Sequence, residues 1–387
     1  MRDPTACLPG PRPRSPFRDV SVAAASRDTS LARPEDARLV ALQHAADVAH
    51  GSMVRYLYAA YSLSVPGVPV AQSGAVSAWQ EVMLGVAAEE RQQWVSVQHL
   101  LRRLGAPPHV GRARRLALEP LTPNVLAAYV AEASPPDWSG PWADDVHRRV
   151  QASGRRRRAC SEEPAGPGDG WGEPALGSEV QRLLIHGRAC RRGNARFVAL
   201  LETFREMTAL WDGAVPVRHV AVDPYLLPDV AEDGEDGRPA AGRDLITHPT
   251  ARLWGHLFNL RYGLMLQALV QTVWADDPDD GTWRAELAHM GTIAATLTAL
   301  PLKRGGGEKT AGAPFLLPPW SGDGEGASAV REAAAAGQAL VRRLSVTASA
   351  SSLAFLYALR NSDAARMAGG DVSAPSSDAR VATRPRR

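Results

Sequence analysis

The stretch VMLGVAAEERQQWVSVQHLLRRLG, residues 82–105, decides the fold. With Trp79 just upstream, large apolar side chains recur at Trp79, Met83, Val86, Val97, Leu101 and Leu104, a stripe of helical period. Glu90 and, one turn later, Gln93 fall on that stripe. A carboxylate on the inward face of a helix is costly unless something meets it there. Glu90 therefore marks the face on which function is expected.

The flanking sequence gives more long helices. Pro34 followed by Glu35 and Asp36 is a helix start, and Leu39, Leu42, Ala46, Ala49, Met53, Tyr56 and Ala60 define one face running to about Ser62. Pro66, Gly67 and Pro69 end it, and Ser73 with Gly74 opens the next helix, closed by Gly105, Pro107 and Pro108. A short proline-bounded helix is read within residues 118–135. A third long helix is predicted from about Ser178 to Trp211. A fourth begins at Pro249 with Leu253, Leu257, Leu260, Leu264, Ala268 and Val273 inward. A fifth over about Thr282 to Leu300 is placed on the outside, and an Ala-rich helix over about 326–345. Strand-type alternation is nearly absent. Four long amphipathic segments joined in pairs predict an all-α four-helix bundle with additional C-terminal helices and long loop insertions.

The domain reading is a disordered N-terminal arm at 1–33, a helical domain at 34–345 with a mobile Arg/Gly/Pro-rich insert at 145–177, and a mostly disordered tail at 346–387. Within that tail Ser351 to Leu359 could add a turn or two of helix, with disorder expected beyond Asn361.

Composition excludes several classes. A net charge of +3 over 387 residues is too small to argue for nucleic acid, and Arg155–Arg158 reads as a solvated loop. No apolar run reaches membrane-spanning length, and no signal-peptide core is present. Cys7, Cys160 and Cys190 are odd in number and far apart, which suits a reducing compartment. A cytoplasmic protein with neither nucleic-acid nor membrane partners is expected.

Several stretches together resemble a known family. HAADVAHGSMVRYLYAAYSL (44–63), GVAAEERQQWVSVQHLLRRLGAPPHVGR (85–112), LEPLTPNVLAAYVAEASP (118–135), HPTARLWGHLFNLRYGLMLQALVQTV (248–273) and LTALPLKRGGGEKTAGAPF (297–315) are similar, in order and spacing, to the ferritin-like family that includes iminophenylpyruvate dimer synthase of violacein assembly. The resemblance covers roughly residues 35–320. It implies a ferritin-like bundle, and it implies specialised metabolism on an amino-acid-derived imine or 2-oxo acid.

Such bundles commonly hold two metal ions with Glu on one helix and Glu-x-x-His on the next, repeated in the second half. By that resemblance the first-helix Glu is Ala49, beside His50; the second-helix Glu remains as Glu90, but its His is Gln93. In the third helix, IHGRAC aligns so that the acid becomes Arg188, and the later imidazole falls near Arg196. An amide is a poor ligand and a guanidinium is none. The reading is a degenerate site with no metal and no cofactor.

Two roles stay open for Glu90: a general base raised by burial, or an ion pair with Arg188 or Arg196 across the bundle. Gln93 serves either as a hydrogen-bond partner. Asp47 and His50 are one turn apart and could line the same cavity, or stand on its flank. His186 and Cys190, at i,i+4, could with His50 and Glu90 make a four-ligand site, but a buried Cys packing as a small apolar group is the ordinary case. Trp79, Trp94, Tyr56, Tyr58, Tyr61, Trp254 and Phe258 read as core, with stacking on an aromatic substrate as the alternative. Gly305–Gly307 lacks the spacing of a phosphate loop.

Two functions of different class follow. One is an enzyme with Glu90 and Gln93 at the chemistry and Arg188, Arg196, His50 and Asp47 holding substrate. The other is a non-catalytic module serving a biosynthetic partner protein.

Overall fold

The computed structural model describes the backbone over residues 34–63, 70–110, 118, 121–133, 142–152, 195–212, 225–226, 244–275, 280–307, 309–317 and 326–369. The N-terminal arm, most of the 145–177 insert, the first half of the predicted third helix and the last residues lie outside them.

The first pair of helices is α1 (Pro34–Ser62) and α2 (Val70–Arg103), packed along their lengths. Helix α2 ends as its sequence predicts. Gly105 adopts φ 74°, Gly105 N–H reaches Arg102 O at 2.9 Å, and Ala106 N–H reaches Leu101 O at 3.0 Å, the two bonds of a Schellman closure. Helix α1 has its final carbonyls met from the neighbouring helix: Gln80 Nε2 donates to Ala60 O at 3.2 Å and to Leu63 O at 2.5 Å.

Helix α3 (Pro123–Ala133) starts on Thr122, whose Oγ1 accepts the Val125 N–H at 3.2 Å, with proline in the first helical position. Helix α4 (Ala143–Ala152) falls partly where a mobile insert is expected. Asp144 and Asp145 lie in its first turn, Val146 is fully buried, and Arg148 and Arg149 both pair with Asp145. Acids at the start and buried Val146 are enough to order residues 145–152. Helix α5 (Ala195–Asp212) meets α2 through Trp79 Nε1 and Glu206 Oε2 at 2.9 Å. A two-residue parallel pair, β1 (Tyr225–Leu226) with β2 (Asp244–Leu245), precedes α6.

Helix α6 (Pro249–Ala275) completes the bundle with α1, α2 and α5. Its residues 261–266 are buried without interruption, the mark of a helix covered on every side. The covering comes from α7 (Asp280–Thr298), α8 (Gly326–Leu344) and α9 (Ala350–Gly369). Helix α7 is less external than its placement in the sequence reading: Trp283, Glu286, Met290, Ile293, Ala294 and Leu297 are all buried.

The tail expected at 346–387 is corrected in its first half. Helix α9 is capped by Ser349, which accepts from Ser352 N–H at 3.3 Å, and it continues past Asn361 to Gly369. Its Leu356, Leu359 and Asp363 are buried, so tertiary contacts hold a segment whose composition reads as unfolded. The fold is therefore an all-α ferritin-like bundle with extra C-terminal helices.

Candidate functional site

Helix α2 brings Met83, Ala87, Glu90, Trp94, Val97 and Leu101 onto one buried stripe, with Gln93 and Arg91 buried beside it. Gln93 Oε1 and Trp94 Nε1 find no hydrogen-bond partner among the described residues. The Arg91 guanidinium lies over the Trp283 ring, 5.4 Å from its centroid, tying α2 to α7. Arg188 lies outside the described residues, and so does the side chain of Arg196 on α5. The pairing of Glu90 with either guanidinium falls there too.

Ala49 is fully buried on α1 and offers no donor atom, while Gln93 offers an amide. Neither of these two positions supplies a carboxylate or an imidazole, and the side chains aligned on the third helix lie outside the described residues. Among the described residues no group of three or more His, Cys, Asp or Glu could hold a metal ion.

His50, next to Ala49, meets α6 instead. Its Nε2 is 2.8 Å from the Tyr262 hydroxyl, both residues are buried, and the rings lie nearly parallel with centroids 6.2 Å apart. Burial lowers the His50 pKa to about 4; Asp47 opposes the shift and His109 adds to it. Burial pushes the Tyr262 phenol well above its ordinary value. At neutral pH the dyad is thus two uncharged groups sharing one hydrogen bond, with burial making the imidazole a weaker base and the phenol a weaker acid than in water.

Asp47 stands apart from this dyad. It is exposed and pairs with His109 Nε2 at 2.9 Å. Buried Gln98 sets His109 in place, donating to its carbonyl at 2.6 Å and accepting its N–H at 3.0 Å.

Beyond Tyr262 the wall is aromatic. Phe315 comes from the loop after α7, and its ring centroid lies 4.9 Å from Phe258, 5.4 Å from Tyr262, 6.2 Å from Tyr61 and 6.4 Å from Tyr58. The loop is tethered to α6 by Leu316 N–H donating to Asn259 Oδ1 at 3.0 Å. Tyr61 also donates to Leu287 O on α7 at 3.0 Å.

A second polar cluster lies on another face of α6. Arg261 forms a bidentate pair with Asp363 of α9, at 2.8 and 2.5 Å. Glu286 of α7 accepts from Arg366, lies 3.7 Å from Arg261 and 3.5 Å from His289 Nδ1. Burial raises the Glu286 carboxyl, but His289, Arg261 and Arg366 outweigh it and hold the pKa below its ordinary value. Two cations and two carboxylates balance there.

The sequence reading singles out His50 but neither Tyr262 nor Phe315. Phe258, Tyr262 and Leu266 recur at i,i+4 on α6, so a helical count extended past Phe258 reaches Tyr262. Phe315 sits in a loop, where periodicity is silent. Arg261, Asp363 and Arg366 carry no local pattern that marks them as buried.

Residues 42–134, which span most of α1 and all of α2 and α3, match the family model described as Ferritin-like. Neither a curated protein nor a solved structure matches the chain. A ferritin-like domain is present in the chain.

Proposed function

We propose that the protein binds and transforms a small, amino-acid-derived imine or 2-oxo acid in specialised metabolism, without a di-metal centre. The observation that carries this reading is the buried, uncharged His50–Tyr262 dyad beside an aromatic wall. A neutral imidazole and a phenol in one hydrogen bond suit imine–enamine tautomerisation. One proton leaves the carbon beside the C=N group, one arrives at the nitrogen, and no oxidant is consumed. Tyr61, Phe258 and Tyr262 give an aryl ring a surface to pack on. The resemblance to the family of iminophenylpyruvate dimer synthase supports the same substrate class. In this reading Glu90 and Gln93 support the proton transfer from α2, and Arg188 or Arg196 holds the substrate carboxylate.

The test is calorimetric titration of the full chain with phenylpyruvate. Binding is expected, weakened about tenfold in Tyr262→Phe by loss of one hydrogen bond and abolished in Arg188→Ala. Absence of binding to the wild-type protein and to every variant removes the reading. The second reading, a non-catalytic module for a biosynthetic partner protein, is favoured by one observation: Phe315 already fills the aromatic box.

A further inference from the structure

Phe315 is the one non-glycine residue with positive φ among the described residues, at 47°. For a bulky side chain this region is an outlier, and such a conformation persists only where its surroundings force it. Residues 311–315 are all buried yet belong to no helix or strand. Upstream, the chain is anchored by a small hairpin. Leu302 N–H bonds Lys309 O at 2.9 Å, and Ala311 N–H bonds Leu300 O at 2.8 Å. The hairpin tip carries Gly305, Gly306 and Gly307 at φ 98°, 89° and 138° and is exposed. Downstream of Phe315, Leu316 is tied to Asn259.

The Phe315 ring has the surroundings that a ligand's ring would have. It is stacked on Tyr61 and meets Phe258, Tyr262 and Tyr58 edge-on, and the Tyr262 hydroxyl leads on to His50. We infer that the segment Thr310–Leu317 is a gate: Phe315 holds the place of an aryl ring, and a ligand carrying a one- or two-ring aryl group and a polar substituent enters by displacing it. The box then receives the ligand's ring, and the polar substituent meets the hydroxyl of Tyr262. Leaving the box also frees Phe315 from its left-handed backbone. Ring-for-ring exchange keeps the aromatic contacts, while the strain is lost only when the gate opens. This inference rests on the reading of His50–Tyr262 as a small-molecule site.

The experiment is hydrogen exchange by mass spectrometry on the full chain, with and without phenylpyruvate, and with indole as a second probe, together with titrations of wild type and Phe315→Gly. A gate predicts that ligand speeds exchange in peptides covering 310–317 while slowing it in α1 and α6. It also predicts about tenfold tighter binding by Phe315→Gly, because the closed state no longer competes. Should Phe315→Gly not fold, Asn259→Ala, which keeps the ring and cuts the tether, is expected to bind faster than wild type. Binding to wild type with 310–317 slowed or unchanged overturns the gate and leaves the small-molecule site standing. Binding only to Phe315→Gly shows a permanent plug and also overturns the gate. Binding to neither protein overturns both.

Discussion

Asp363→Ala is expected to cost the protein about 3–5 kcal/mol, the usual penalty for breaking a buried ion pair from one side. The geometry sets that scale. Arg261, Glu286 and Asp363 are all completely inaccessible, and Asp363 takes both terminal nitrogens of Arg261 at 2.8 and 2.5 Å. Without it, Arg261 keeps only Glu286 at 3.7 Å, already engaged by Arg366. Arg366→Ala is expected to be milder, about 1–2 kcal/mol, since Arg366 is 20% exposed and water can reach the group it leaves. The double replacement Arg261→Met with Asp363→Leu removes both charges together and is expected to cost less than either single change. Gly337→Ala reports on the same cluster. A Cβ there would lie 3.0 Å from Asp363 Oδ2 and 3.6 Å from Arg261 Nη2. The carboxylate is pinned, so the usual helical gain of up to about 1 kcal/mol is expected to become a loss. Urea unfolding of each variant, with slopes checked for constancy, gives the cycle. An Asp363→Ala penalty under about 1 kcal/mol, or strictly additive single changes, would show that water or rearrangement satisfies Arg261 and would refute the argument.

Two further outcomes test the opposite faces of the site. His50 is depressed from an ordinary 6.5 to about 4 by burial, so the unfolded chain binds its proton first on acidification. Stability from this group is complete above pH 6.5 and is lost as pH falls towards 4, by roughly 3 kcal/mol. Urea midpoints measured between pH 4 and 7.5 should fall more steeply in wild type than in His50→Gln; parallel curves refute it. Glu286 does not confuse the reading, because its carboxyl is held below 4.5, its stabilisation is present above that value, and its loss comes at lower pH. At position 315, Phe315→Gly should be more stable than Phe315→Ala by about 1 kcal/mol, because only glycine accepts φ 47° freely. The reverse order in thermal unfolding removes the strain argument.

Helices α1, α2 and α6 are legible in the sequence because each carries its own period and its own punctuation, and the second half of the third predicted helix is described as α5. Pro34, Gly105, the Thr122–Pro123 pair and Pro249 act through local backbone chemistry and need no partner to be read. Helix α9 is different. Ser- and Ala-rich segments reveal little periodicity, and Asp363 and Arg366 look solvated until Arg261, about 100 residues earlier, supplies the reason for burial. The site divides the same way. His50 stands out as a polar residue beside the inward Ala49, whereas Tyr262 is hidden in a helix that is buried all round. Phe315 depends on a loop path that no spacing rule describes.

The sequence reading pairs Glu90 with Arg188 or Arg196 inside the bundle, which lies outside the described residues; among the described residues a buried guanidinium–carboxylate pair stands at Arg261. Arg261 and Tyr262 are consecutive, so they project about 100° apart around α6. One turns to the ion pairs of α7 and α9, the other to the neutral His50 of α1. A helix gripped by a bidentate ion pair has little freedom to rotate, and rotation is the motion that would carry the Tyr262 hydroxyl away from His50. Helix α9 thus reaches the dyad through the register of α6. The arrangement also separates two electrostatic demands. Fixed charges are compensated on one side of α6, while on the other His50 and Tyr262 share a hydrogen bond as uncharged groups, the imidazole kept neutral by burial.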